Sequence, residues 1–224
     1  MKASPLTRQS TAMADATIAR LSRTPWCHAL ISSPHWTPIS TESRVPKASS
    51  EDSFFAETLG TARTIRACLT LRSPEESGDR TDDTIYQEVR TIFELGDGLN
   101  GFPKIAHGGF VVTMLDEVMG VLITTNVQGR AERQRRAGLE GDGVMSCFTA
   151  CELRSSSRAD GSDAEVDLNV TYKKPLPTPA VVLCTAKIER RERNKVYMRG
   201  TVEDGLGTVF TTAEGMFVET KPKL

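Results

Sequence analysis

The most informative segment of this 224-residue chain reads Lys104-Ile-Ala-His-Gly-Gly-Phe-Val-Val-Thr-Met-Leu-Asp-Glu-Val-Met-Gly120. A His-Gly-Gly triplet is followed by an almost wholly apolar stretch that the acidic pair Asp116 and Glu117 interrupts. Apolar residues on nearly every side predict a helix of about residues 108–126 that is enclosed on most faces. A carboxylate in such a helix is costly unless it is used or paired. The segment therefore predicts a buried helix that carries a functional acid.

The two glycines Gly108 and Gly109 stand where this helix is predicted to begin. Because neither has a Cβ, a ligand can approach the backbone closely. The first N–H groups of a helix have no partner within it, and together with the helix dipole they suit a developing oxyanion. The preceding His107 is either a general base or a helix-capping residue, and the sequence leaves both roles open.

The spacing between Gly109 and Asp116 predicts a dimer. Seven residues make about two helical turns, so both residues lie on one face, roughly 10 Å apart along the axis. A catalytic carboxylate and an oxyanion hole must both lie about 3 Å from the reacting group, which one helix cannot provide. Two antiparallel copies around a twofold axis bring Gly109 of one chain near Asp116 of the other. We therefore expect a homodimer, or a dimer of dimers, with sites shared between chains.

These residues resemble the His-Gly-Gly…Asp signature of hotdog-fold thioesterases of the PaaI-like class, which includes the mammalian mitochondrial acyl-CoA thioesterases. The matching positions are His107, Gly108, Gly109, Thr113, Met114 and Asp116. The segment 168–177, Leu-Asn-Val-Thr-Tyr-Lys-Lys-Pro-Leu-Pro, resembles the second motif of the class. Residues 25–27 and 53–59 are similar to the N-terminal extension of fungal members. The resemblance covers roughly residues 25–128 and 164–220.

The resemblance implies an α+β hotdog fold, in which an antiparallel β-sheet wraps around a central α-helix. It also implies a thioesterase that acts on an acyl-CoA, or on an acyl or polyketide group bound to a carrier protein, with a backbone oxyanion hole. Two alternatives stay open: a non-catalytic acyl-CoA-binding hotdog protein, and a hotdog enoyl hydratase or dehydratase. The last group normally places Asp before His in a different motif.

Asp116 is the predicted catalytic acid, either polarising water or attacking the thioester carbonyl itself. Glu117 is its rival, but adjacent helical residues point about 100° apart, so only one can face the partner's oxyanion hole. The seven-residue spacing from Gly109 favours Asp116. Glu117 is then a salt-bridging or interface residue, and we keep it among the candidate substrate contacts.

Further candidate substrate-binding residues come mainly from the resemblance. Related enzymes hold the catalytic water with an Asn before the His-Gly-Gly, and Asn100 stands one residue away from that spacing. Glu165 occupies the position where mammalian relatives have a functional Thr. Lys173 and Lys174, like the cluster Arg130–Arg136, either bind coenzyme A phosphates or a carrier's acidic surface, or are solvated charges. Thr113, a matching position in the signature, completes the set.

Composition limits the other classes of function. With 38% hydrophobic residues and a formal net charge of −1, the chain is predicted to be one domain without a membrane span or a nucleic-acid partner. Five cysteines without framework spacing indicate a reducing, cytoplasmic compartment, and with three histidines we expect neither a metal nor a cofactor. The absence of a G-x-S-x-G motif argues against serine hydrolases.

The chain divides into segments of different composition. Residues 1–24 are predicted to be a disordered tail, with a mitochondrial transit peptide as the alternative. The thioesterase-like domain, 25–224, is expected to begin with an irregular arm (25–75) that contains a short helix at 26–32. An insertion is predicted at 127–163, with an extra strand at 144–153.

Strands are predicted at Thr84–Glu94, Glu165–Tyr172, Ala180–Arg190, Lys195–Glu203 and Thr208–Glu219. Residues 54–71 alternate poorly, although Asp52-Ser53 is typical of a helix start. Gly96-Asp-Gly-Leu-Asn-Gly101 has the spacing of a dinucleotide-binding loop. Because Pro103 follows and no parallel βαβ unit comes next, we expect these glycines to build a turn.

Overall fold

The computed structural model describes residues 14–75, 84–138 and 167–218. Its helices are α1 (residues 14–21), α2 (Pro25–Ile31) and α3 (Gly108–Arg136). Its strands are β1 (Thr37–Ile39), β2 (Ile65–Arg72), β3 (Glu88–Leu95), β4 (Asn100–Phe102), β5 (Ile105–Ala106), β6 (Asp167–Tyr172), β7 (Ala180–Glu192), β8 (Lys195–Glu203) and β9 (Val209–Val218).

Among the described residues, seven strands form one antiparallel sheet in the order β1-β2-β3-β7-β8-β9-β6. Helix α3 packs on the inner face of this sheet, against β3, β7 and β8. Met114, Leu115, Met119 and Leu122 are completely buried there. The contact is so close that a Cβ on Gly200 in β8 would lie 2.7 Å from the Met119 side chain. This sheet around a central helix confirms the predicted hotdog fold.

The four strands from β6 onward lie close to where the sequence predicts them, because turn residues separate them. The hairpin between β8 and β9 turns at Gly205, whose φ of +71° suits glycine. The predicted turn at residues 96–101 is also confirmed, as a short 3-10 segment, Asp97–Leu99, followed by β4.

The predicted arm, 25–75, contributes more than an irregular segment. Its helix α2 matches the expectation, but β1 and β2 belong to the main sheet. Ala67, Leu69 and Leu71 of β2 are buried on the outer face under α1 and α2, while Ile65 is buried in the core around α3. Within β2 itself apolar residues do alternate with more polar ones, and the pattern over residues 54–71 is weak because that segment also contains the helical turn Phe54–Thr58.

The predicted disordered tail, 1–24, is too long. Residues 14–21 are helical, and Leu21 is completely buried against the outer face of the sheet. The Arg20 guanidinium also donates a 2.7 Å hydrogen bond to Glu94 on β3. Burial of an apolar side chain fixes this part of the segment, which its polar composition did not reveal.

Helix α3 continues ten residues past its predicted end at residue 126. The first part of the segment predicted to be an insertion, 127–163, is therefore the C-terminal part of α3. Asn126 fixes this part of α3: its Oδ1 accepts from the N–H groups of Ile85 and Tyr86, and its Nδ2 donates to the Tyr86 carbonyl. Gly129 allows Tyr86 to pack against the helix. The predicted strand at 144–153 lies outside the described residues.

Helix α3 is long enough to cross a membrane, and an 18-residue window within it has a mean hydropathy of 1.5. Of that window, 56% is buried inside the protein, where the sheet wraps around the helix. Burial in the protein core therefore accounts for the apolar composition of α3.

Candidate functional site

His107 caps helix α3. Its backbone is extended, and its Nδ1 accepts a 3.0 Å hydrogen bond from the N–H of Gly109. Its own N–H donates to the Leu99 carbonyl at 2.8 Å, which ties the cap to the preceding turn. A neutral imidazole that accepts at Nδ1 carries its proton on Nε2. The exposed nitrogen is therefore a donor, and of the two predicted roles the geometry supports the capping residue over the general base.

Gly108 supplies the available amide at this helix start. The Gly109 N–H is engaged by His107, whereas the Gly108 N–H has no hydrogen-bond partner within the described ranges. The Gly108 carbonyl accepts a 2.9 Å hydrogen bond from the Tyr172 hydroxyl. Of the two predicted oxyanion donors, the Gly108 amide is the one that is free to bind.

A cavity of about 700 Å³ opens beside this helix start. Its lining consists of Gly101, Phe102, Ile105, Ala106, His107, Gly108, Val111, Tyr172, Lys173, Lys174, Pro175, Leu176 and Thr211. Phe102 and Tyr172 are well exposed at 73% and 54%. An apolar cavity with a few polar groups and lysines is typical of a site for a small molecule that has an apolar part and an anionic part.

Asp116 lies two turns further along α3. Within the described structure, its Oδ1 is buried without a hydrogen-bond partner, and burial raises the pKa of its carboxyl group above the ordinary value. Asp116 is absent from the cavity lining. The carboxylate of one chain is thus unpaired and separate from the cavity of that chain, in agreement with the spacing argument.

Glu117 faces a different direction. The Ser43 hydroxyl, on the 3-10 turn Glu42–Arg44 of the arm, donates to its carboxylate. Burial raises the pKa of Glu117, and the hydrogen bond from Ser43 partly offsets this rise. The arm covers Glu117 and holds it away from the cavity, so the predicted substrate contact does not form within this chain.

The other candidates divide into two groups. Lys173 and Lys174 line the cavity, and their N–H groups both donate to the Phe210 carbonyl. The Thr113 hydroxyl donates to the Gly109 carbonyl one turn earlier, and Asn100 accepts from Thr178, so both side chains stabilise the structure around the cavity. Glu165 lies outside the described residues.

The two predicted basic patches lie at opposite ends of α3. At 1.5 Å per residue, the 28 steps from Gly108 to Arg136 span about 42 Å. Lys173 and Lys174 lie at the Gly108 end, where they line the cavity. The arginines at the far end cannot contact a ligand in the same chain's cavity, and Arg136 pairs instead with Glu132. Within the parts of the chain that the structure describes, no group of three His, Cys, Asp or Glu residues could hold a metal.

Two residues of this region were not predicted. Ser43 binds Glu117, and Tyr172 binds Gly108. Tyr172 ends the apolar face of β6, so its hydroxyl at the end of a half-exposed strand was a weak signal. Ser43 gave no signal, because its partner is 74 residues away.

Comparison with known proteins finds one family and several proteins that are similar to this chain. A family model described as "Thioesterase superfamily" matches residues 104–211. The acyl-coenzyme A thioesterase THEM4 of Mus musculus is 24% identical over 139 residues, which are 61% of this chain and 46% of that protein. Verlamelin biosynthesis protein B of Lecanicillium sp is 36% identical over 147 residues, 60% of this chain and 57% of that protein. The chain spans about half the length of these relatives.

Among solved structures, zebrafish thioesterase superfamily member 2 is 14% identical and covers 66% of this chain and 83% of its own, with a TM-score of 0.40. The family match begins just before His107, contains both lysines of the cavity and ends in β9. Residues 104–211 are therefore similar to the thioesterase superfamily over the segment that forms the helix start and the cavity.

Proposed function

We propose that this protein hydrolyses the thioester of an acyl group with coenzyme A or with an acyl-carrier protein. The observation that carries the proposal is the Gly108 amide at the start of α3, which has no partner among residues 14–75, 84–138 and 167–218 and lies beside an apolar cavity. A backbone N–H at a helix N-terminus is suited to stabilise the oxyanion that forms when a thioester carbonyl is attacked. The Nε2–H of His107 is a second donor at the same helix start.

Asp116 supplies the basic group in this proposal. Water adds to the thioester carbonyl while Asp116 accepts its proton, and the thiol leaves as the carbonyl re-forms; the products are a carboxylic acid and a free thiol. Alternatively, Asp116 attacks the carbonyl itself and the thiol leaves, and water then hydrolyses the resulting anhydride to the carboxylic acid and the free aspartate. After a single turnover in ¹⁸O-water, label in the aspartate side chain identifies the second route with attack of water on the aspartyl carbonyl.

A second copy of the chain completes the site. Along α3, one face is partly or fully exposed and consists largely of small residues, which are Gly109, Val112, Thr113, Asp116, Gly120 and Thr124. Such a face allows two helices to approach closely, and Asp116, which is partly exposed, lies on it. We propose a homodimer in which this face of α3 packs against its copy, so that Asp116 of one chain approaches the Gly108 amide of the other.

The cavity supports an acyl-CoA or carrier-bound substrate. Its apolar side chains suit an acyl chain, and the ammonium groups of Lys173 and Lys174 suit the phosphates of coenzyme A or the acidic surface of a carrier. The relative from Mus musculus is named an acyl-coenzyme A thioesterase. The relative from Lecanicillium is named a biosynthesis protein, which is compatible with a carrier-bound or polyketide acyl group.

The activity test measures thiol release from a panel of acyl-CoA and acyl-carrier thioesters. Asp116→Asn keeps the shape of the side chain but removes its basic oxygen, so kcat should fall by about 10²–10⁴, the usual contribution of a general base. The matched variant Glu117→Gln, on a carboxylate held by the arm, should retain most activity. The reverse ranking would contradict the assignment. Binding without hydrolysis across the panel would identify a non-catalytic protein, and water addition to an enoyl-CoA would identify a hydratase.

The dimer test uses two inactive variants. Asp116→Asn removes the base, and Gly108→Val obstructs the free amide. In a purified heterodimer with shared sites, both defects fall in one site, so about half of the wild-type activity should return in the other. Heterodimers no more active than the parent variants would exclude a shared site.

A further inference from the structure

The Tyr172 side chain connects the end of β6 to the first turn of α3. Its hydroxyl donates a 2.9 Å hydrogen bond to the Gly108 carbonyl, across 64 residues of sequence. A Cβ built on Gly108 would lie 3.3 Å from that hydroxyl and 3.5 Å from the ring carbon that bears it. The ring also lines the cavity. Tyr172 therefore contacts the helix start at the residue with the free amide.

The base of the tyrosine is held firmly. Tyr172 pairs with Thr211 of β9, and the next residue, Lys173, donates its N–H to the Phe210 carbonyl at 2.7 Å. Because β9 holds the backbone on both sides, the sheet sets the direction of the Cα–Cβ bond of Tyr172. The hydroxyl is then held against α3 by its hydrogen bond to the Gly108 carbonyl.

Two side chains hold opposite ends of one peptide group. The carbonyl of Gly108 and the N–H of Gly109 belong to the same planar unit. Tyr172 donates to that carbonyl, and Nδ1 of His107 accepts from that N–H. Both glycines lie in the first turn of α3, and because glycine restricts its own backbone angles least of all residues, this turn depends on such contacts. With both ends bound, the plane of this peptide cannot rotate freely.

We propose that Tyr172 is a positioning residue for the reaction. Its hydroxyl holds the Gly108–Gly109 peptide, which is joined through the Gly108 Cα to the preceding peptide, the one that carries the free Gly108 N–H. The carbonyl of that preceding peptide accepts from the Val111 N–H, so with both neighbouring planes held the Gly108 N–H stays directed at the substrate carbonyl. This inference rests on the proposed function, because it needs an oxyanion at Gly108. A preorganised donor lowers the barrier because it does not have to reorient during the reaction. Without the hydroxyl, the two glycines can adopt other angles that turn this N–H away.

The kinetic test compares Tyr172→Phe with Tyr197→Phe. Each variant loses only a hydroxyl; Tyr197 lies on β8, stacks on Arg190 and is not part of the cavity. For Tyr172→Phe we expect kcat to fall about tenfold with KM nearly unchanged, less than the 10²–10³ loss caused by removing a direct oxyanion donor. Tyr197→Phe should leave both constants unchanged. An unchanged kcat in Tyr172→Phe, or a rise in KM alone, would overturn the proposal.

A second measurement does not depend on activity. In protein labelled with ¹⁵N-glycine, the Gly109 amide resonance should shift in Tyr172→Phe, since its peptide carbonyl loses a donor, and should stay in place in Tyr197→Phe. If the wild type hydrolyses no thioester while this resonance shifts, the proposed function fails and the peptide lock stands. If hydrolysis is observed but neither the resonance nor kcat changes in Tyr172→Phe, the positioning role is refuted.

Discussion

Replacement of Asn126 by leucine should strongly destabilise the fold. Asn126 is 2% exposed, and its side chain binds three backbone groups of residues 85–86, namely the N–H groups of Ile85 and Tyr86 and the Tyr86 carbonyl. Leucine has a similar size but neither a donor nor an acceptor. The variant therefore removes these hydrogen bonds without opening a large cavity.

The magnitude follows from the number of groups left without a partner. Ile85 and Tyr86 are 2% and 5% exposed, so water cannot easily replace Asn126. Each buried polar group that loses its partner costs about 1–3 kcal/mol, so three such groups predict a loss of at least about 3 kcal/mol. For a chain of this size, that loss corresponds to a decrease in Tm of about 6–12 °C.

Urea denaturation at equilibrium measures the free energy of unfolding. The control is Asn169→Leu, the same substitution at an exposed position of β6. We expect little change in the control, because exposed substitutions usually stay within about 0.5 kcal/mol. A loss below about 1 kcal/mol in Asn126→Leu, on the scale of a single hydrogen bond, would refute the role given to Asn126.

Two further predictions concern stability. Because burial raises the pKa of Asp116 above 3.8, the folded state holds its proton more tightly, and the associated stability is lost as the pH rises through the raised value. The Asp116→Asn variant should therefore unfold at a higher urea concentration than the wild type at neutral pH, and the difference should shrink in acid. If the variant is instead less stable than the wild type at neutral pH, the Asp116 carboxylate has a stabilising partner and the prediction is wrong. Gly205→Ala should cost more than Gly207→Ala, since both have positive φ but only a Cβ on Gly205 would overlap the Trp26 ring. The positive φ alone should lower the free energy of unfolding by about 1–2 kcal/mol in each variant. Equal losses of unfolding free energy in urea denaturation would contradict the Trp26 contact.

The sequence predicted the parts of the fold whose signal is local. The apolar segment after His107 predicted the central helix, and Pro, Gly and Asn residues separated the strands from β6 onward. These signals are local because side-chain periodicity and turn chemistry depend on neighbours only a few residues apart. The seven-residue spacing of Gly109 and Asp116 was informative for the same reason, since a helix converts it into a fixed distance.

The tertiary structure decided which groups of the site are engaged. His107 accepts from the Gly109 amide and Ser43 donates to Glu117, whereas in the described part of the chain the Gly108 amide and Oδ1 of Asp116 have no partner. The partners Ser43 and Glu117 are 74 residues apart, and their meeting depends on how the arm packs on the domain. Likewise, the position of β2 in the main sheet and the burial of its outer face depend on α1 and α2, which pack over it. Long-range packing determines burial and hydrogen-bond partners, and neither is encoded in the local pattern of residue types.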